Sequence, residues 1–260
     1  MNPVLREIRI YPIKSLDPVI VPSARVTAGG GLEHDRAWAI FDSTGKFINA
    51  KRNAALQKLR CEFDLAAKRV RFERGPEASL VTQLDALAEW LSDIVAEPVE
   101  IAHNPSGGFP DDKEASGPTI VSRASFDAVR EWFPEMDAEG VRRRFRTNLE
   151  FDGVPAFWEE CLYGAAGKPL RFRVNGVLFL GMNPCQRCAV PSRDPYSAAA
   201  MAGFQKTFAE KREATLPEWA QRSRFNHFYR FTVNTRIPGS EIGKVLRIGD
   251  ELKFEPEGGE

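Results

Sequence analysis

Apolar and polar residues alternate over residues 4–11, the period of a half-buried strand. Pro12-Ile13-Lys14-Ser15 breaks the alternation, and Val19-Ile20-Val21 and Ala24-Arg25-Val26 resume it in short pieces. Gly29-Gly30-Gly31 reads as a tight turn, because neither a P-loop lysine nor a helix follows it. Residues 32–41 predict a strand entered through charged positions. Asp42-Ser43-Thr44-Gly45 then predicts a turn into Phe47-Ile48, and residues 60–65 with 69–72 a further hairpin. Short strands at this spacing point to a barrel or a sharply curled sheet. The period then changes. Leu84, Leu87, Leu91 and Ile94 recur at helical spacing, which predicts an amphipathic helix over residues 84–95. Pro98-Val99-Glu100-Ile101 reads as a returning strand. Residues 104–117 are polar and rich in Gly, Pro and Asp, a long exposed loop of the kind that borders functional sites.

A division between two lobes falls here, residues 1–115 and 116–256, with no Gly/Ser linker between them and tight packing expected. Past it, Thr119-Ile120-Val121 is a short strand, and Ser122 caps a helix running to about Trp132 and ended by Pro134. Arg142, Arg143, Arg144 and Arg146 crowd the next segment. Residues 155–162 predict a short helix with Pro155 in its first turn. Residues 170–174 and 177–180 form a hairpin turning at Asn175-Gly176. Residues 197–213 and 217–222 read as helices, and 228–233, 244–248 and 252–254 as strands. No internal repeat or low-complexity tract is present.

Composition narrows the function classes. The chain has 260 residues, 43% of them hydrophobic and 28% charged, which reads as a globular protein with ample core. Lys+Arg and Asp+Glu both total 36, so nothing global argues for nucleic acid. No apolar run approaches membrane-spanning length, and the opening Met1-Asn2-Pro3-Val4-Leu5-Arg6 lacks a signal peptide's charged and apolar regions. A cytoplasmic location with no membrane association is therefore expected, with the four cysteines reduced. Cys61 and Cys161 stand alone and read as buried small hydrophobes.

The other two cysteines sit in Asn183-Pro184-Cys185-Gln186-Arg187-Cys188-Ala189-Val190-Pro191-Ser192-Arg193-Asp194-Pro195. Three prolines deny this run regular structure, so it reads as a rigid loop holding a thiolate beside a cation. Three plainer readings compete. Structural zinc needs four ligands, but Cys61 and Cys161 are isolated, and His34, His103 and His227 lack ligand spacing. A redox Cys-x-x-Cys needs its first cysteine at a helix N-terminus, which Ala-Val-Pro-Ser-Arg-Asp-Pro cannot begin. Two unrelated buried thiols are the third. A functional thiolate suits the run better, with Arg187 able to lower a thiol's pKa or pair with a phosphate. Lys14-Ser15, Arg36 and the arginines at 142–146 are each ordinary surface charges taken singly. Together they place cations at turns where an anion could also meet backbone donors. Nucleic acid is the competing use, disfavoured by the neutral total charge and the lack of interleaved aromatics.

These residues resemble the molybdenum cofactor sulfurase C-terminal (MOSC) domain family, in the branch containing the mitochondrial amidoxime-reducing component and its bacterial relatives. In the first lobe the resemblance rests on Tyr11-Pro12-Ile13-Lys14-Ser15, Gly31-Leu32 with Asp35-Arg36, and Gly45-Lys46-Phe47-Ile48 with Lys51-Arg52. In the second it rests on Phe145-Arg146-Thr147-Asn148, Cys185-Gln186-Arg187-Cys188, Asp194-Pro195 and Ile248-Gly249-Asp250. It implies a mainly β (α+β) fold of two packed β-barrel lobes with peripheral helices. It also implies a molybdenum cofactor, molybdenum with a pyranopterin, bound through the Cys188 thiolate. Lys14, Ser15, Arg36, Arg146, Asn148 and Arg187 would hold the pterin and its phosphate, and Ser116 would touch the cofactor from the turn Ser116-Gly117-Pro118, where Gly117 offers only backbone.

The same resemblance implies an oxidoreductase acting on small N-oxygenated substrates: amidoximes, hydroxylamines and N-hydroxylated bases. No cysteine follows Cys188. The electrons are therefore expected from a separate donor protein of iron–sulfur, flavin or haem type. Gln186 stands where eukaryotic members often have serine, Pro191-Ser192 replaces a threonine pair, and Tyr196-Ser197-Ala198 replaces the usual turn after Asp-Pro. These departures concern the substrate pocket more than the cofactor. Cys185 is expected to be structural, and Asp35 to orient Arg36. The alternatives are a non-catalytic cofactor or sulfur carrier and a zinc-stabilised binding module.

Overall fold

The alternating opening stretch forms β1 (Val4–Ile10), followed by β2 (Val19–Val21) and β3 (Ser23–Arg25). The computed structural model describes residues 2–255, so the predicted end of the second lobe at residue 256 lies just outside it. The chain continues through β4 (Trp38–Asp42), β5 (Phe47–Ile48), a single helical turn α1 (Ala55–Lys58), β6 (Cys61–Asp64), β7 (Arg69–Phe72) and β8 (Glu77–Ser79). Helix α2 (Leu84–Val95) matches the period change read in the sequence, and β9 (Val99–His103) returns from it. Next come β10 (Ile120–Ser122), α3 (Arg123–Trp132), α4 (Ala138–Phe145) and β11 (Leu149–Asp152). The remainder is β12 (Leu170–Val174), β13 (Val177–Gln186), α5 (Phe204–Ala214), β14 (Arg230–Arg236), β15 (Val245–Arg247) and β16 (Leu252–Phe254).

The fold is mainly β, as expected. An eight-stranded sheet runs β16-β12-β13-β14-β10-β11-β1-β2. Its neighbours are antiparallel except β10 with β11. It curls until its β16 edge reaches the N-terminal half of β1, for Leu5 N donates to Asp250 O at 2.8 Å and Leu252 N to Pro3 O at 2.9 Å. Curling is how a sheet of this width removes exposed edges. Strands β1 and β2 thus complete the sheet built from residues beyond 119, with β1 paired to β11, while β3 pairs with β15 in a separate two-stranded sheet. Leu5, Ile8 and Ile10 share one core with Leu149, Phe151, Phe172, Phe179 and Val233. A second core lies where the three-stranded sheets β5-β4-β9 and β6-β7-β8 meet Leu87, Leu91 and Val95 of α2. A third, mostly aromatic, clamps α3, α4 and α5 onto β14 through Phe126, Phe145, Phe204, Phe208 and Phe231.

Local chemistry explains where the structure departs from the pattern. Residues 32–37 form turns rather than strand, and β4 starts only at Trp38. The Asp35 carboxylate accepts from Tyr11 N at 2.9 Å, and His34 and Arg36 adopt left-handed φ of 68° and 50°. Residues 197–203 are likewise not helical. Asp194 Oδ1 accepts from the amides of Tyr196 (3.1 Å) and Ser197 (2.8 Å), and Ala198 then takes a left-handed φ of 59°, which breaks a helix at its start. The segment 217–222 is not helical either, apart from a 3-10 turn at Arg222–Arg224. Residues 155–162 contain a 3-10 turn, Trp158–Leu162, instead of an α-helix. The cysteine run is strand in its first part: β13 continues through Asn183, Pro184 and Cys185 to Gln186, with irregularities on either side of Pro184. A bulge lets a residue without an N–H sit in a paired strand. Among the described residues no helix is long and apolar enough to cross a membrane.

Candidate functional site

A cavity of about 590 Å³ opens where the 11–15 turn, the 32–37 turns, the 104–117 loop, the end of α4 and the end of β13 converge. That is the size of a small-molecule or cofactor pocket. Lys14, Ser15, Arg36, Ser116, Arg146, Arg187 and Cys188 all line it, although they come from five separate stretches of chain. Asn148 does not face it. Asn148 is buried behind, donating from Nδ2 to Arg9 O at 3.0 Å and accepting at Oδ1 from Thr119 N at 3.2 Å and Arg36 Nη1 at 3.5 Å. Its place is to hold Arg36 and the start of β11.

Each cation reaches the cavity by a traceable route. Lys14 follows the end of β1. Its Nζ donates to Phe109 O at 2.9 Å and pairs with Asp111 Oδ1 at 2.6 Å, beside the Phe47 ring. Burial depresses the Lys14 pKa despite the opposing pull of Asp111. Arg36 pairs with Asp35, the orienting contact expected from the sequence. Burial opposes its charge, but Asp35 and Asp111 more than offset this and the Arg36 pKa rises.

Arg146 caps α4 in a left-handed conformation, φ 51°, which swings the side chain away from the helix. Its guanidinium lies 4.1 Å from the centre of the Tyr11 ring, with that of Arg36 at 5.5 Å from the same ring. Tyr11 is fully buried, donates from its hydroxyl to Thr147 O at 3.2 Å, and is the platform on which both arginines rest. Among the described residues Arg146 has neither a hydrogen-bond partner nor an ion pair from its side chain. Burial, with Arg36 adding to it, lowers its pKa. It is a cation whose charge is left for something else to balance.

Arg187 stands differently. Its Nε donates to Phe231 O at 3.0 Å, Nη1 to Phe145 O at 3.0 Å and Nη2 to Thr232 Oγ1 at 2.7 Å. These bonds pin the end of α4 to β14 and draw the guanidinium's donors into the protein. Ser15, at φ 76°, accepts from Ala50 N at 3.1 Å through its hydroxyl. Ser116 Oγ donates to Gly29 O at 2.8 Å. The Gly117 amide is taken by Thr235 O at 2.9 Å, so it is not free for a ligand. The Gly29-Gly30-Gly31 turn is a turn, as read, and packs against the 104–108 loop through Gly29 N to Ser106 O at 2.8 Å.

Cys188 is exposed at the cavity, one residue past Arg187, whose amide still pairs with Tyr229 O. The segment after it is tied down. Buried Arg144 donates to Pro191 O at 2.9 Å and to Arg193 O, and Arg193 Nη1 donates to Ala50 O at 2.7 Å. Cys185 lines the same cavity from β13. Burial pushes Cys61 and Cys161 up to about 12, so both stay thiols at neutral pH, in keeping with the bland reading of them. Tyr11 stood within a quoted motif, Arg144 in the arginine cluster and Asp111 in the 104–117 loop, but nothing local marked their roles as platform, clamp and partner of Lys14.

The donor set suits a phosphorylated cofactor that carries its own metal. Among the described residues no three His, Cys, Asp or Glu side chains group to hold an ion. A metal at Cys188 would therefore need further ligands brought with it. An exposed thiol, an uncompensated arginine and two further cations around one cavity supply what such a group requires from the protein.

The pattern that defines the MOSC domain matches residues 114–253, and that of the MOSC N-terminal beta barrel domain matches residues 2–85. The chain is 25% identical over 224 residues to a molybdenum cofactor sulfurase of Drosophila grimshawi. The match covers 72% of this chain and 28% of that protein. It is 25% identical over 231 residues to molybdenum cofactor sulfurase 1 of Aedes aegypti, covering 72% of this chain and 29% of that one. The chain thus spans less than a third of the curated relatives it matches. Among solved structures, the YUAD protein from Bacillus subtilis aligns over 97% of this chain and 94% of its own, at 11% identity and a TM-score of 0.41.

Proposed function

The chain belongs to the MOSC domain family, and on that premise we propose that it binds a molybdenum cofactor, molybdenum with a pyranopterin, and reduces N-hydroxylated compounds with electrons from a separate donor protein. The observation that carries this reading is the meeting of the exposed Cys188 thiol and the unpartnered Arg146 guanidinium at one cavity. In this reading Cys188 is the thiolate ligand. Lys14, Arg36 and Arg146 neutralise the phosphate, with Ser15 and Ser116 as hydroxyl neighbours, while Arg187 and Asn148 hold the wall and Arg36 in place. When bound, the cofactor supplies a two-electron couple able to take an oxygen atom from nitrogen. The net reaction consumes two electrons and two protons, and yields the amine or amidine and water. The chain's part is to fix the thiolate, balance charge, and offer polar groups such as Asn183 and Asn234, joined at 3.1 Å, to a small polar substrate. We place the site at the junction of the lobes 1–115 and 116–256, in a cytoplasmic protein.

A second reading, a carrier that stores the cofactor or delivers sulfur, is favoured by the relatives, which are named molybdenum cofactor sulfurases and are more than three times as long as the matched segment. One experiment separates the two. Protein purified from a cofactor-producing host is assayed for molybdenum, zinc and pterin, then for benzamidoxime reduction with chemically reduced viologen. Metal, pterin and turnover are expected, with turnover abolished in Cys188→Ala while its thermal unfolding stays within about 0.5 kcal/mol of the parent, since the side chain is exposed. Cofactor without turnover favours the carrier. Zinc instead of molybdenum, or full activity in Cys188→Ala, overturns the assignment.

A further inference from the structure

Lys14 and Arg36 at the cavity are each paired with an acid, and the two acids differ in standing. Asp35 is built in. One of its oxygens accepts from Tyr11 N at 2.9 Å and the other pairs with Arg36, and its backbone lies in a turn against the end of β1. Asp111 is not built in. Its carboxylate reaches Lys14 at 2.6 Å from the tip of the 104–117 loop, and its side chain is 77% exposed. The loop is anchored to the protein body before that tip and braced by a local turn after it. Phe109 N donates to Arg36 O at 2.9 Å, and its ring packs against Phe41 and Phe47. Beyond the tip, Asp112 Oδ1 accepts from Glu114 N and Ala115 N. Between these anchors, among the described residues, the Asp111 amide makes no hydrogen bond. A single residue can therefore swing without disturbing its flanks.

Charge gives the swing a purpose. The Asp111 side chain is open to solvent on its outer side but faces the cavity wall, which desolvates it in part; Lys14, Arg36 and Arg146 nonetheless draw its carboxyl below the ordinary value, so it stands in the field of all three. Withdrawing Asp111 while Asp35 stays raises the net positive charge around Lys14, Arg36 and Arg146 by one, which favours the dianion of a phosphate monoester near neutral pH. We propose that Asp111 is a displaceable internal counter-ion, a carboxylate that competes with the ligand's phosphate for Lys14 and leaves the cradle when the phosphate enters. The inference relies on the proposed cofactor reading only for the ligand's identity; the competition itself requires no more than a phosphate dianion.

The test therefore uses inorganic phosphate and the full chain. Binding is measured by calorimetry at pH 8 and low salt for the parent, Asp111→Asn and Asp111→Glu, with Lys14→Met as the cradle-deficient control. Removing one competing charge a few ångströms from the site should tighten phosphate binding about tenfold in Asp111→Asn. Asp111→Glu should stay near the parent, and Lys14→Met should lose binding. Hydrogen exchange over residues 109–113 should rise when phosphate binds the parent. Equal or weaker binding in Asp111→Asn overturns the proposal, since it would make Asp111 a bystander or a support for Lys14. Absence of phosphate binding in both parent and Asp111→Asn overturns it as well. Failure to find molybdenum leaves the result standing, so the two readings fail separately.

Discussion

Arg146→Met should make the protein more stable and its anion site weaker at once. The guanidinium lies 4.1 Å from the Tyr11 ring centre, and that of Arg36 lies 5.5 Å from the same point, so the two charges are less than about 10 Å apart. At an effective dielectric near 20 their repulsion is about 1.7 kcal/mol or more. Asp17 and Asp111 oppose part of it from a distance, but no acid among the described residues forms an ion pair with Arg146. Methionine keeps apolar contact with the ring but forfeits the cation–π attraction, about 0.5–1 kcal/mol. The left-handed backbone at φ 51° is equally awkward for either side chain, so it cancels from the comparison. The balance is a gain of about 1 kcal/mol, or about 2–4 °C in Tm for a protein of this size. Phosphate binding should meanwhile lose one charge-assisted contact of about 1.5–3 kcal/mol, a weakening of about ten- to a hundredfold. Scanning calorimetry reads the first effect, and phosphate titration or molybdenum retention the second. A variant destabilised by more than about 1 kcal/mol would show that Arg146 supports the fold, and the case for a charge reserved for a ligand would collapse.

Two further outcomes test the framework behind the site. Glu159 is 1% exposed, accepts from Ser125 Oγ and Ser122 N, and is pushed by burial up to about 7 from an ordinary 4.5. A carboxyl raised on folding binds more protons folded than unfolded, so its stabilising share is complete below pH 4.5 and is lost as pH rises through 7, about 3 kcal/mol in all. Urea unfolding at pH 5 and pH 8 should show a difference between the two that shrinks in Glu159→Gln; an unchanged difference would mean the carboxyl is ionised when folded. Gly117→Ala should cost about 1–3 kcal/mol by overpacking, since an added Cβ would lie 2.7 Å from Thr235 Oγ1 and 2.8 Å from Thr235 O. A variant as stable as the parent would show that the 116–118 turn is not held against β14 as described.

Periodicity made much of the framework legible, and local side-chain chemistry set where it failed. Helix α2 was readable because four leucine or isoleucine positions repeat within one helix, and α3 because Ser122 caps it, accepting from Ser125 N at 3.1 Å. The 32–37 segment misled because its charged residues run directly into the apolar strand that follows, while Asp35 bonds to a chain segment more than twenty residues away. The segment 197–203 misled because Ala198 takes a left-handed φ of 59° and Met201 N donates back to Ser192 O at 2.8 Å, across a turn rather than along a helix. For the site, the residue types and their order pointed to a thiolate among cations, and seven of the eight candidate residues meet at one cavity. Their individual states were not readable. Arg146 and Arg187 are the same residue type in equally suggestive motifs, yet among the described residues one makes no side-chain hydrogen bond or ion pair and the other donates through three nitrogens to three protein oxygens.

The sequence by itself determined the mainly β character, the longest helix of the N-terminal half, and the supply of thiol and cationic groups, because these depend on short-range periodicity and on residue identity. Tertiary structure alone decided that β1 joins the sheet of the second half, that Tyr11 carries two arginines, and that Asp111 faces Lys14. The physical reason is distance along the chain. Desolvation, ion pairing and ring stacking act over a few ångströms of space, and Lys14, Asp111 and Arg146 become neighbours only after strands separated by more than a hundred residues have paired.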